Sequence, residues 1–302
     1  MSSEAERRTV LVAIILSLIG VAFFSIMDVA MKALALAIGA YSAVFWRNVI
    51  ATLLSGVGMI AQRPSKPSAS VMRLHIMRAA LIGPMSVLFF WALTRLPIAE
   101  AIAIAFIAPV IALYLSALVL KEQISRYSII AAVLGMVGLA VILSDRFSGH
   151  YDEDALLGAG AVLVSAVLFA VNLILQRQQA QLASAVEISF YQNLLVLATL
   201  LPFAPWFLSR AAYEHWSLIL LAAGLVASSQ MLLARAYARA PASRLIPIEY
   251  SAFAWAALFG WLVFDERLTL SVVTGVAFIV AACFMAAREK PRLAAHVEAD
   301  TA

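Results

Sequence analysis

A stretch of 31 residues, Arg95 to Ser125, occurs twice in the chain. Shifted by 144 positions, it lies without a gap on Arg239 to Thr269. The copies read RLPIAEAIAIAFIAPVIALYLSALVLKEQIS and RAPASRLIPIEYSAFAWAALFGWLVFDERLT, with nine identical pairs. Aliphatic identities recur by chance in a chain this apolar, but Arg95/Arg239, Pro97/Pro241 and Glu122/Glu266 do not. Each copy opens with Pro in the first helical turn, where its missing N–H costs nothing. Each then runs about 23 mostly apolar residues, enough to span a bilayer with some tilt. Each closes on a charged pair, Lys121-Glu122 or Asp265-Glu266, followed by a small hydroxyl residue. A duplicated membrane unit fits this pattern.

The rest of the chain has the same character. It is 64% hydrophobic and 13% charged, with mean hydropathy +0.98, whereas a soluble domain carries roughly a quarter charged residues. The apolar character extends from Val10 to Ala287, which predicts an all-α polytopic membrane protein. The single cysteine, Cys283, excludes an internal disulfide and speaks against a thiol metal site. His75, His150, His215 and His296 are far apart in sequence. The net charge of +4 works as a topology signal and gives no support to nucleic-acid binding. No small-residue cleavage motif follows MSSEAERR, so the first apolar run reads as a helix and not as a removed signal peptide.

Apolar runs predict ten transmembrane helices at about 10–37, 41–61, 74–94, 97–120, 126–143, 156–177, 187–208, 216–238, 242–264 and 269–287. With the N-terminus in the cytoplasm, cytoplasmic segments hold 15 of the 21 Lys and Arg, the other side holds 4, and Lys32 and Arg47 fall within spans. Both termini are then cytoplasmic. Five spans per half is an odd number, so the halves must have opposite orientation. The expected architecture is two inverted five-helix repeats, 10–143 and 156–287, joined by a linker at 144–155 and followed by a cytoplasmic tail at 288–302. Such repeats place a substrate site near the midplane between the halves.

The repeat extends upstream. FFSIMDVAMK (23–32) aligns with VLFAVNLILQ (167–176), and FWRN (45–48) with FYQN (190–193). Asp28, Lys32 and Arg47 thus become Asn172, Gln176 and Gln192, which keeps hydrogen-bonding size and removes charge. An ionisable residue within a span costs roughly 2.5–3.5 kcal/mol on insertion scales and is a functional candidate by default. Asp28 and Lys32, spaced i, i+4, lie on one helix face within pairing reach. Either they form a structural ion pair, with Lys32 snorkelling outward, or they face the cavity with Arg47 and bind substrate. The unequal charge of the two halves favours the second reading.

Glu249, whose repeat twin is Ala105, is a candidate for coupling to protons or else a salt-bridge partner near a loop. Arg78 and Arg235 read as positive-inside anchors. Among the aromatic residues, the twins Trp46/Tyr191 and Phe106/Tyr250 are the strongest candidates for substrate contact. Pro84 and Pro109 fall within spans and should kink them. No HExxH, Gly-rich phosphate loop, Asp-rich pair or Ser/His/Asp grouping is present. Neither enzyme chemistry nor a cofactor is implied.

With its ten predicted helices, two inverted repeats and the duplicated stretch above, the chain resembles the EamA-type carriers of the drug/metabolite transporter superfamily over about residues 10–287. Glu122 and Glu266, followed by spans with Gly135, Gly138 and Gly275, carry most of the likeness. DVAMK (28–32), FWRN (45–48) and HIMR (75–78) look like the S-adenosylmethionine-type subset, with some likeness to riboflavin carriers. Asn172 and Gln176 stand where that subset would have Asp and Lys. The resemblance implies an inner-membrane carrier of a small metabolite, often an exporter, with a central cavity lined by both repeats. The residues themselves point to an amphipathic, zwitterionic or cationic substrate with an aromatic or heterocyclic part, and the resemblance implies an amino-acid-derived or nucleoside-like compound such as S-adenosylmethionine. A proton gradient or counter-substrate would drive its movement, and the lipid bilayer surrounds the protein. The alternatives are export of amino acids, riboflavin-like compounds or drugs and, more remotely, a membrane enzyme or a non-transporting subunit.

Overall fold

The computed structural model describes residues 2–62, 66–108, 111–112, 115, 126–148, 153–180, 182–237, 239 and 251–287. Among these residues the chain is helical and contains no strand. The helices are α1 (Ser2–Ile38), α2 (Ala40–Gln62), α3 (Ala69–Leu93), α4 (Ile98–Ala105), α5 (Arg126–Ser148), α6 (Glu153–Ala180), α7 (Ala185–Leu200), α8 (Trp216–Tyr237), α9 (Ser251–Phe264) and α10 (Leu270–Ala287). Six of them are long and apolar enough to cross a membrane: α1, α2, α3, α6, α8, and α7 continued to Phe207. Leucine, valine and phenylalanine side chains are exposed along their outer faces, Val57 and Ile60 on α2 among them. That surface suits a lipid environment and would be a liability in water.

Several boundaries follow from local chemistry. Gly39 separates α1 from α2 at φ +81°, a conformation that glycine adopts without the Cβ penalty. Ser68 and Ser184 accept backbone N–H groups at the starts of α3 and α7. Pro202 and Pro205 break the far end of α7 into a 3-10 turn, Leu201–Phe203, and a short helix, Ala204–Phe207. α5 runs on to Ser148 and α6 begins at Glu153, so both helices extend into the segment 144–155 expected as linker. Pro84 sits inside α3, which continues through it, whereas Pro109 lies outside the described residues.

Helices of the first half pack chiefly against helices of the second. α5 lies on α10, α1 on α8, α3 on α6 and α2 on α7. Each pair runs antiparallel. In the α2–α7 pair, Tyr41 meets Leu200, whereas the positions Gly56 and Gly58 face Phe190 and Val186. α1 and α8 meet at Gly20, whose carbonyl accepts from Ser229 Oγ at 2.7 Å, and again at Ala13 and Ala236. α3 and α6 meet where Ser165 Oγ donates to the Met85 carbonyl at 3.0 Å. The last two bonds lie at nearly equivalent places with donor and acceptor exchanged: adding 144 to Gly20 and to Met85 gives position 164, next to Ser165, and Ser229 itself. Exchanging the halves thus leaves the packing partners in place, and the two-repeat architecture fits.

The α5–α10 pair depends on two glycines. A Cβ on Gly138 would stand 2.6 Å from the Gly275 carbonyl, and Ile142 occupies the space beside Gly275. Backbones approach this closely only where side chains are absent. Gly138→Leu and Gly275→Leu should each lower the thermal unfolding midpoint of the detergent-solubilised protein by several degrees. Gly160→Ala, where an added Cβ meets nothing within 4 Å, should leave it unchanged. Equal midpoints for all three variants would show that the two helices do not meet there.

Candidate functional site

At one end of the bundle, the two halves meet in a buried ionic junction. Glu266 Oε2 accepts the backbone N–H of Ile98 at 2.8 Å, and Oε1 pairs with Lys32 Nζ. The Lys32 ammonium also donates to the Leu96 carbonyl at 2.7 Å and sits 5.1 Å from the centre of the Phe264 ring. Pro97 has no N–H to offer, so Ile98 presents the first unsatisfied donor of α4, where a carboxylate is favoured. Asp265 makes this possible. It ends α9 in the left-handed region at φ 53°, which aspartate tolerates, and swings Glu266 back across the helix end. Gly260 leaves room for the carboxylate, since a Cβ there would lie 2.5 Å from Glu266 Oε2.

Lys32 therefore reaches across to the second half and not to Asp28. Asp28 is buried and interacts electrostatically with Arg47 of α2. Arg47 stacks over Phe90 at 5.5 Å and touches Met27 Sδ. Trp46 packs edge-on against Trp216 at 5.1 Å, and its indole N–H is buried with no acceptor among the described residues. Phe106 caps α4 and packs against the main core.

Asn172 and Gln176, the equivalent positions of the second half, belong to another polar cluster, built on the buried Arg78 of α3. Its guanidinium donates to Asn172 Oδ1 at 3.0 Å, to Gln176 Oε1 at 3.3 Å and to Gln179 Oε1. Gln179 in turn meets His75 Nδ1, and His75 Nε2 lies 3.2 Å from Glu187 Oε1. Tyr191 packs against the His75 ring at a tilt, 5.0 Å between ring centres. Gln192 is half-buried on α7. Trp46 and Tyr191 thus have different ring partners, Trp216 and His75. Glu249 and Tyr250 lie outside the described residues.

Arg78, expected as a surface anchor, is in fact 3% exposed. Two features of the sequence point to this cluster. Asn172, Gln176 and Gln179 recur at i, i+4 and i+7, a polar stripe on one face of an otherwise apolar helix. Ser184 and Glu187 have capping-box spacing, which normally turns the glutamate back to the cap residue. Here Ser184 accepts from the Glu187 N–H, while the Glu187 side chain goes to His75.

Removing one member of a buried ion pair leaves the other charge uncompensated, at about 3–5 kcal/mol. Lys32→Met and Glu266→Gln should each depress the unfolding midpoint, and the double variant should recover part of the loss. A double variant as unstable as the summed singles would show that the pair is not coupled.

The EamA-like transporter family model matches the chain twice, over residues 11–144 and 156–288. A riboflavin transporter of Brucella anthropi is 26% identical over 253 residues, covering 81% of this chain and 87% of its own. The pseudopaline exporter CntI of Pseudomonas aeruginosa is 29% identical over 271 residues, covering 88% and 93%. A solved crystal structure matches with TM-score 0.61 at 18% identity, over 91% of this chain and 96% of its own, a likeness of fold alone. Two matches of one family model, together spanning most of a helical, lipid-suited chain, settle the assignment: the protein is a multi-pass membrane protein of the EamA-like transporter family.

Proposed function

We propose that the protein is an inner-membrane secondary transporter that moves a small amphipathic metabolite by alternating access between two inverted five-helix repeats. In this reading ten helices span the membrane and both termini are cytoplasmic. The domain limits are the 10–143 and 156–287 of the sequence. One observation carries the proposal: Asp28 of the first half and its repeat twin Asn172 of the second are both buried polar groups inside the spans, and Asn172 with Gln176 and Gln179 holds the buried guanidinium of Arg78 from the first half. A scaffold that only held helices together would gain little from keeping guanidinium groups inside the bilayer. The antiparallel pairing of first-half with second-half helices supports the inverted arrangement.

Asp28 is the group suited to a substrate ammonium or sulfonium, which would compete with Arg47 for its carboxylate. Trp46, with its buried indole N–H, and Tyr191 would supply aromatic faces and a hydrogen bond. Phe106, Gln192 and Tyr250 are further candidates for the cavity wall. Zwitterionic or cationic compounds, amino-acid-derived or nucleoside-like, fit this set best, S-adenosylmethionine among them. The relatives named for riboflavin and pseudopaline support a small metabolite of this general size class.

The proposal is tested by screening purified protein for ligand-induced thermal stabilisation against a metabolite library that includes riboflavin and S-adenosylmethionine. A stabilising compound should then be carried by proteoliposomes. Asp28→Asn should abolish its stabilising effect and its transport. Glu249→Gln, altering the candidate proton-coupling group, should leave binding and exchange intact and remove dependence on a pH gradient. If Asp28→Asn binds and transports normally, the Asp28–Arg47 pair is a helix clamp and not a substrate site.

A further inference from the structure

The Arg78 cluster forms a directional chain of hydrogen bonds whose polarity is fixed by its first member. A guanidinium can only donate, so the Gln179 atom facing Arg78 must be its oxygen. The Gln179 amide nitrogen then faces His75 Nδ1, and that ring nitrogen must accept. The His75 proton therefore sits on Nε2, where it donates to the Glu187 carboxylate at 3.2 Å. The chain reads Arg78 to Gln179 to His75 to Glu187, cation at one end and anion at the other, across α3, α6 and α7.

This arrangement leaves no place for a second proton on His75. A proton on Nδ1 would confront the Gln179 amide N–H₂, donor against donor. Turning the amide over would satisfy His75 and set the same N–H₂ against Arg78. A doubly protonated His75 and an Arg78–Gln179 bond thus exclude one another. Among the described residues, the other titratable and charged groups of the packed helices do not alter this. Tyr191 packs at a tilt on the ring from α7. Arg47 of α2 reaches α3 at Phe90, fifteen residues farther along it. Lys32 of α1 pairs with Glu266 beside the start of α4. Glu100 of α4 lies at that same end of the bundle.

Arg78 itself is held by three neutral amide oxygens, and no carboxylate pairs with it among the described residues. Amides are weak partners for a guanidinium compared with a carboxylate, which it binds through two parallel charge-assisted bonds. We propose that Arg78 is the subsite for a carboxylate group of the transported metabolite, and that occupying it lets His75 take up one proton. A carboxylate drawing Arg78 off Gln179 frees the amide to turn over, present its oxygen to Nδ1 and accept the added N–H. The carboxylate and the proton bring opposite charges, so the buried site gains both without a net change. The coupling is reciprocal: a proton on His75 releases Arg78 for the anion. The inference rests on the transport reading above and deepens it.

The test uses the full-length protein in nanodiscs, with formate as a small carboxylate probe. Nitrogen-15 spectra of labelled histidine distinguish the two neutral tautomers from the doubly protonated ring, and His75→Gln identifies the His75 signals. Without formate, the His75 ring should carry its proton on Nε2, where the hydrogen-bond chain places it. Formate should convert it to the doubly protonated form in the wild type and have no effect in Arg78→Met. Gln179→Met, which leaves the charge unchanged, should break the link, so that His75 no longer responds to formate. A proton on Nδ1 in the formate-free protein would overturn the proposal, as would a His75 signal that ignores formate in the wild type or responds equally in Arg78→Met. Formate binding needs no transport, so a chain that moved no metabolite would still give these spectra, and the two readings fail separately.

Discussion

The carboxylate of Glu266 is the interaction on which the arrangement of the two halves depends. It closes the second half's α9, satisfies the first donor of the first half's α4, and neutralises an ammonium from α1. None of the three groups could be left alone in a bilayer: an unmatched N–H, a lone carboxylate and a lone ammonium each cost several kcal/mol there, by about the amounts seen for buried polar groups. Together they cost far less, and they do so only when the end of α9 and the start of α4 are in register. The junction therefore fixes how one half sits on the other. It uses Pro97 to leave Ile98 as the first donor, Asp265 to turn the chain and Gly260 to admit the carboxylate.

Around this junction, the buried polar groups divide into two sets related by the repeat. Asp28 and Arg47 lie between α1 and α2, with Phe90 of α3 beneath the guanidinium. On α6, Asn172 occupies the position of Asp28 and Gln176 that of Lys32, but their cation comes from α3, as Arg78, and not from position 192 on α7. One scaffold has thus been given two different charge arrangements. One set is two opposite charges of the first half, and the other is a first-half guanidinium cradled by second-half amides. Such a difference is expected of a binding site that must grip an asymmetric molecule, and it has no use in a symmetric strut.

Much of this was legible in the sequence. The duplicated stretch marked Pro97 and Glu266 as special, and the odd number of spans per half implied antiparallel repeats. Asp28, Lys32 and Arg47 stood out because charge inside an apolar run is costly. The partners were not legible. Asp28 and Lys32 sit within pairing reach on one helix face, yet the ammonium finds Glu266 234 positions away, because only tertiary packing brings the two ends together. Arg78 resembled an anchor because it lies near a helix end in sequence. Its burial comes from α6 laying Asn172, Gln176 and Gln179 along it. That stripe was visible as a period, but a helix of amides carries no charge to draw attention. Glu187 had the spacing of an ordinary helix cap, and only the approach of His75 gives it another role.

The account stands on the opposed orientation of the halves, and the twin residues Arg95 and Arg239 test it most directly. Each would be replaced singly by cysteine in a Cys283→Ser background and challenged with a membrane-impermeant thiol reagent, in intact cells and in inside-out vesicles. The account predicts that Arg95→Cys reacts only in intact cells and Arg239→Cys only in inside-out vesicles. Labelling of both from the same side would mean that the repeats run parallel, and the alternating-access reading would fall with them.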